Sequence, residues 1–156
     1  MKKILLIFIL CVTSCGYQPL YSIKETGEYT FSKITINGDN EINTKIINLL
    51  KIKEINTDLS LNELELKSLF TIEETSKDSK GKVISYRSKA KVNLIIKKNK
   101  KILKNQNFVE DFTYANSENK SDLIEYQKEI KNNITNKIIE EILLYMNLEW
   151  LLNFMI

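Results

Sequence analysis

Histidine is absent from all 156 residues. That one absence removes the commonest general base, the usual nucleophile triads and the commonest metal ligand. Only two cysteines and four glycines are present, too few for a Cys/His metal spacing, and no Gly-rich phosphate loop occurs. No serine sits in a nucleophile elbow. Glu110-Asp111 and Glu73-Glu74 are neighbours on alternating segments, so each pair points to opposite faces and cannot act as a carboxylate dyad. Charge of one sign is lacking too: 23 Lys+Arg stand against 20 Asp+Glu, a net +3. A nucleic-acid binder concentrates a basic excess, so nucleic acid is not an expected partner. Neither enzymatic activity, a metal nor a dissociable cofactor is expected. The hydrophobic fraction of 43% and charged fraction of 28% suit one globular domain rather than a disordered tail or a multi-spanning membrane protein.

What is present begins at the first residues. Met1-Lys2-Lys3 is a short basic start, Ile4 to Val12 is an unbroken apolar run, and Thr13-Ser14-Cys15 closes it with small residues. This is the order of a secretory signal peptide, and the run is far short of the roughly 20 residues that span a bilayer. Val12-Thr13-Ser14-Cys15 resembles a bacterial lipobox. That resemblance implies cleavage before Cys15, a diacylglyceryl group on its thiol and an acyl chain on its new amino group. Each buried CH₂ contributes about 0.8 kcal/mol, so several chains hold a small domain on a membrane. Cys11 would leave with the signal, so the exported chain would have no thiol for a disulfide. Without Lys2 and Lys3 it carries 21 basic and 20 acidic residues, a net charge of +1. Position 16 is Gly, and in lipoprotein families the lack of Asp there implies passage to the outer membrane. The expected division is a lipoprotein signal peptide over 1–14, a lipidated tether over 15–28 and a single domain over 29–156.

Hydrophobic period divides the domain. Tyr29 to Asn37 is β-branched and aromatic, and Asn37-Gly38-Asp39-Asn40 stops it with turn chemistry, Asp39 or Asn40 being able to cap a helix. Ile42, Ile46, Leu49 and Leu50 then recur at helical spacing through about Lys53. Asn62 to Glu74 alternates, with Leu64, Leu66, Phe70 and Ile72 on one face. Thr75 to Lys82 reads as a polar loop. Val83 to Lys98 alternates again, Asn99-Lys100 reads as a hairpin tip, and Lys101 to Ala115 returns as a strand with Phe108, Phe112 and Tyr114. Ser121 and Asp122 mark a helix start, followed by a stripe of Leu123, Ile130, Ile134, Ile138, Ile142 and Tyr145. The predicted order is β-α-β-β-β-α. It implies an α+β, two-layer sandwich: a four-stranded, mostly antiparallel sheet with two helices on one face. The apolar end, Trp150 to Ile156, either completes the core or meets a partner.

One stripe stands out on the polar side. Arg87, Lys89 and Lys91 share a strand face, and three like charges there repel unless something offsets them. The offset is either cross-strand pairing with Glu63, Glu65 or Glu73, or an anionic ligand such as a phosphorylated lipid. The tip Lys97-Lys98-Asn99-Lys100-Lys101 is a second basic cluster, read either as a solvated turn or as a contact with the same kind of ligand.

Cys15-Gly16-Tyr17-Gln18-Pro19-Leu20-Tyr21 resembles the start of the LPS-assembly lipoprotein family, LptE. The remaining element order is similar in outline. The resemblance implies a periplasm-facing domain, lipid-anchored on the outer membrane through Cys15. Such a domain plugs the β-barrel LPS translocon LptD, helps it assemble, and engages lipopolysaccharide for delivery to the outer leaflet, with no chemistry on the substrate. Arg87, Lys89 and Lys91 are assigned to lipid A phosphates from the stripe, since no family motif maps onto them. The chain departs from a typical member in its heavy Ile, Lys and Asn usage and in having one arginine, Arg87. Two other classes fit the same features: an accessory lipoprotein of an ABC-type envelope lipid or solute transporter, and a structural envelope lipoprotein. The partner separates them.

Overall fold

The computed structural model describes residues 28–55 and 62–154. The expected signal peptide, Cys15 and nearly all of the tether lie outside the described residues. A four-stranded sheet of order β2-β4-β5-β6 forms from β2 (Lys33–Gly38), β4 (Glu63–Lys77), β5 (Val83–Lys98) and β6 (Lys101–Ala115). Helices α1 (Asn40–Leu49) and α2 (Lys120–Phe154) pack on one face of it. β2 runs parallel to β4, while β4·β5 and β5·β6 are antiparallel. A parallel pair needs a crossover, and α1 is that crossover. The expected α+β sandwich is therefore the observed one.

The boundaries differ in three places. The strand expected over Tyr29 to Asn37 breaks at Ser32 into β1 (Thr30–Phe31) and β2. β1 pairs in parallel with a two-residue strand, β3 (Lys53–Glu54), which periodicity did not reveal. Two residues carry no readable period, and the pairing depends on α1 returning the chain beside Tyr29. α1 ends at Leu49 rather than near Lys53, because Lys51 turns left-handed with φ 51° and the N–H groups of Lys51 and Ile52 close back on Asn48 O at 3.3 Å and Ile47 O at 3.0 Å. β4 continues to Lys77, beyond the expected Glu74, across register shifts at Glu74/Ser76 and Ser76/Lys77. These shifts let polar residues of the expected loop pair as strand.

Alternation fills the core. Leu64 and Leu66 of β4, Ala90, Val92 and Leu94 of β5, and Phe108 and Tyr114 of β6 are buried beneath the helices. α1 contributes Ile42 and Ile46, and α2 contributes Ile130, Ile134, Ile138, Ile139, Ile142 and Met146. Each of the larger aliphatic side chains and Phe108 adds about 1.5–3 kcal/mol on burial. Within the sheet Ser88 Oγ and the Tyr114 hydroxyl share a buried hydrogen bond of 3.1 Å between β5 and β6, and Tyr29 ties its segment to α2 by donating to Asn147 Oδ1 at 2.8 Å.

Between β2 and α1 the chain turns against β4. Gly38 has φ 92° and is the register partner of Ser68. Asp39 N donates to Ser68 O at 3.3 Å, and Ser68 Oγ donates to Asp39 O at 3.0 Å. Asp39 caps α1 by accepting from Ile42 N at 3.0 Å, which satisfies one of the helix's free donors. Its other oxygen takes Lys131 of α2 at 2.9 Å, and Lys131 also reaches Glu41 at 2.7 Å and lies 5.2 Å from the centre of the Phe70 ring. Burial pushes the Asp39 carboxyl up, but the Lys131 hydrogen bond, the backbone donors and the Lys131 charge together hold it below its ordinary value.

Two predictions follow from this turn. A Cβ on Gly38 would lie 1.8 Å from Ser68 O at a backbone angle side chains avoid, so Gly38→Ala lowers stability by about 3 kcal/mol, read from the urea midpoint. A lowered carboxyl pKa adds stability above the ordinary Asp value near 3.9 that is lost as pH falls through the folded value. Asp39→Asn keeps a cap but not the charge. Its deficit of about 1 kcal/mol at pH 7 shrinks toward zero at pH 3, read from denaturation curves at both pH values.

Candidate functional site

The side of the sheet away from the helices carries the other half of each alternation. Along β5 it presents Arg87, Lys89, Lys91 and Asn93, as the sequence predicts, and their register partners set the local field. Arg87 lies between Glu73 of β4 and Thr113 of β6; its Nε donates to Thr113 Oγ1 at 3.2 Å and sits 3.5 Å from Asp111 Oδ2. Lys89 lies between Thr71 and Asp111. Lys91 lies between Leu69 and Val109, which are 54% and 46% exposed. Among the described residues no ion pair of Lys89 or Lys91 is shown. The structure therefore brings the three predicted cations together in one row, exposed at Arg87 and Lys91 and half-buried at Lys89, graded from a paired end at Arg87 to one with no ion pair shown at Lys91.

The expected acidic neighbours are distributed otherwise. Glu65 is taken by Lys97 at 2.5 Å and Lys67 at 2.9 Å. The Lys97 hydrogen bond, then that of Lys67, hold its carboxyl below its ordinary value. Glu63 stands across from Lys97 and Lys33. Only Glu73 is level with the stripe, and the carboxylate nearest to it is Asp111 of β6. Sequence reasoning missed Asp111 in this role. Its parity along β6 was legible, but its position depended on the β5·β6 register.

That register has a specific cause. Asn99 and Lys100 both take positive φ, 50° and 64°, as a two-residue hairpin turn requires. The turn sets Lys98 against Lys101 and Lys97 against Ile102. Ile96 then pairs with Lys104, so Leu103 is skipped as a one-residue bulge. Past it, Phe108 meets Val92 and Tyr114 meets Tyr86 on the core side, and Asp111 meets Lys89 on the open side. Without the bulge every β6 side chain beyond it would change faces.

Beside the stripe, Asn93 Nδ2 donates to Asn105 Oδ1 at 2.6 Å and to Asn107 Oδ1 at 2.8 Å. Lys97 is committed to Glu65, whereas Lys98, Lys100 and Lys101 are exposed at the tip, with no ion pair shown among the described residues. The stripe is a flat surface rather than a pocket. A depression of about 530 Å³ lies elsewhere, on the outer side of α1, lined by Asn40, Glu41, Thr44, Lys45, Asn48 and Leu49. No cluster of three metal-ligating side chains occurs among the described residues. No described helix is long and apolar enough to cross a membrane. A flat row of cations with aliphatic flanks at one end can hold an anionic head group next to a hydrocarbon portion, by charge-assisted hydrogen bonds and without bond making.

No protein-family model matches the sequence, and no curated protein matches it. Solved structures do match. Rare lipoprotein B from Shewanella oneidensis aligns over 80% of this chain and 99% of its own, with TM-score 0.53 and 12% identity. A lipoprotein from Caulobacter crescentus aligns over 77% of this chain and 90% of its own, with TM-score 0.51 and 12% identity. A minor lipoprotein from Acinetobacter baumannii aligns over 74% of this chain and 90% of its own, with TM-score 0.51 and 10% identity. The α+β sandwich with its one helical layer is thus the fold that these lipoproteins share.

Proposed function

We propose that this chain is an outer-membrane lipoprotein of the LPS-assembly (LptE) family, anchored through acyl chains on Cys15. In this reading residues 1–14 are its signal peptide, 15–28 its tether and 29–156 its periplasm-facing domain. It plugs and helps to assemble an LptD-type β-barrel and passes lipopolysaccharide toward the outer leaflet. The observation that carries the reading is the conjunction of Cys15-Gly16-Tyr17-Gln18-Pro19-Leu20-Tyr21 with a fold shared with rare lipoprotein B and minor lipoproteins. A core built on one face of a sheet leaves the other face free for a ligand, and lipid anchoring keeps that face near the membrane. Arg87, Lys89 and Lys91 supply cations for lipid A phosphates, Arg87 alone being able to make a bidentate contact.

Affinity recovery of the lipidated protein from detergent-solubilised native membranes tests the partner. The expected result is a large outer-membrane β-barrel in roughly equal amount. Transport-ATPase subunits, or no protein at all, would overturn the reading. The stripe is tested by binding of purified lipopolysaccharide. Arg87→Glu, Lys89→Glu and Lys91→Glu together weaken it at least about tenfold, the scale of one lost charge-assisted bond. Asp111→Asn removes the carboxylate that competes for Arg87, and strengthens binding about two- to fivefold, as expected for an exposed pair.

A further inference from the structure

The turn between β5 and β6 is exposed at every position from Lys98 to Leu103. Among the described residues no ion pair of Lys98, Lys100 or Lys101 is shown, while Lys97 behind them is held by Glu65. Ile102 and Leu103, next in the chain, are 59% and 51% exposed. Lysines alone suit a solvated turn that discourages edge pairing. Two adjacent branched aliphatic side chains, each more than half in water, do not. The tip is thus three cations beside two aliphatic groups on a convex, two-residue turn.

Two other parts of the chain come to the same pole. Lys33, the first residue of β2, is level with Glu63, and Glu63 with Lys97, so the chain enters the sheet beside the tip. Residues 1–27 precede this entry. α2 returns from the opposite end: Tyr126 packs on Tyr114, Lys137 lies 3.8 Å from Glu110, and Tyr145 packs on Phe108. Beyond Tyr145 the helix runs on to Phe154, about 13 Å further. That stretch contains Leu148, Trp150, Leu151, Leu152 and Phe154.

We propose that this pole is a second membrane contact, at which the β5–β6 turn rests on a phospholipid surface. Lys98, Lys100 and Lys101 meet anionic head groups, and Ile102 and Leu103 reach the boundary with the acyl chains. The inference rests on the anchoring through Cys15 proposed above, and that anchoring selects a bilayer as the occupant. A flexible tether over 16–27 has a root-mean-square reach of about 20 Å, so the surface stays within range of the pole at which the chain enters. A tethered contact of this kind forms at high effective concentration. The chemistry of the tip agrees with it. Cations side by side with aliphatic groups on a convex turn match a surface that is anionic outside and hydrocarbon a few ångströms below.

Fluorescence quenching in vesicles tests the contact on the lipidated full chain, in which acylation occupies Cys15 and cleavage removes Cys11. Ile102→Cys or Ser79→Cys then carries the one free thiol, and each takes the same thiol-reactive fluorophore. Ser79 lies in the turn between β4 and β5, at the opposite end of the sheet. The vesicles are phosphatidylethanolamine with phosphatidylglycerol, and a spin-labelled phospholipid is the quencher. Quenching at position 102 exceeds that at 79 at least about fivefold, the factor that one lysine contributes at an anionic surface. Lys98→Gln, Lys100→Gln and Lys101→Gln together, or omission of phosphatidylglycerol, bring it toward the position-79 value. Equal quenching at the two positions, as for a tip turned to solvent or to a protein, would overturn the proposal and leave the anchor standing. So would quenching at 102 that responds to neither the lysines nor phosphatidylglycerol. A chain that fails to float with the vesicles would overturn the anchor, and this contact with it.

Discussion

The turn at Gly38 and Asp39 is the constraint on which the layers depend. At that point the sheet edge, the first helix and the last helix meet over one serine of β4. Gly38 can lie against the Ser68 backbone because it has no Cβ, and Ser68 in turn receives and donates one hydrogen bond to Asp39. Asp39 then starts α1 with one oxygen and holds Lys131 of α2 with the other. Asn43, buried one turn further on, returns to the sheet by donating to Asn37 O at 2.9 Å. Without this junction β2 has no fixed exit and α1 no fixed angle across the sheet. With it, the parallel β2·β4 pair and the α1·α2 contact are positioned together.

A single covered face follows from having two helices and one sheet of this size. It makes the open face a surface on which polar and charged side chains must balance among themselves. They do so unevenly. At one end Glu65 gathers Lys97 and Lys67, and the asparagines at 93, 105 and 107 satisfy one another. At the other, Asp111 and Glu73 flank Arg87. Between them Lys91 is bordered by Leu69 and Val109 rather than by a carboxylate. This gap gives the face a direction, from neutral amides through a cation with aliphatic neighbours to a paired guanidinium. The proposed ligand, which combines phosphate with hydrocarbon, would meet that gradient with its charge and its apolar part at different points.

Much of this was legible in residue order. Strands β5 and β6 begin and end where alternation predicts: β5 alternates between core and open side along most of its length, and β6 follows it with Phe108 and Tyr114 turned inward. The stripe on α2 buries as its spacing requires, from Ile130 to Ile142. The cations at 87, 89 and 91 share a face because the period of a strand is two. What escaped were features without a period of their own: the β1·β3 pair, the early end of α1 at a left-handed Lys51, and the extension of β4 through its register shifts.

The sequence by itself determined which side chains of each element turn toward the core, since that choice is written in local periodicity. Composition also determined that the described fold stands without histidine chemistry. Tertiary structure alone decided which strand's charges meet which. The one-residue bulge at Leu103 moves Asp111 opposite Lys89 and keeps Phe108 and Tyr114 on the core side. A hairpin turn of Asn99-Lys100 fixes only the first two pairs, and no local preference at Leu103 announces a skipped residue. Phe108 and Tyr114 are buried only in the shifted register, so burial of these two rings selects the bulge, and with it the field of the open face.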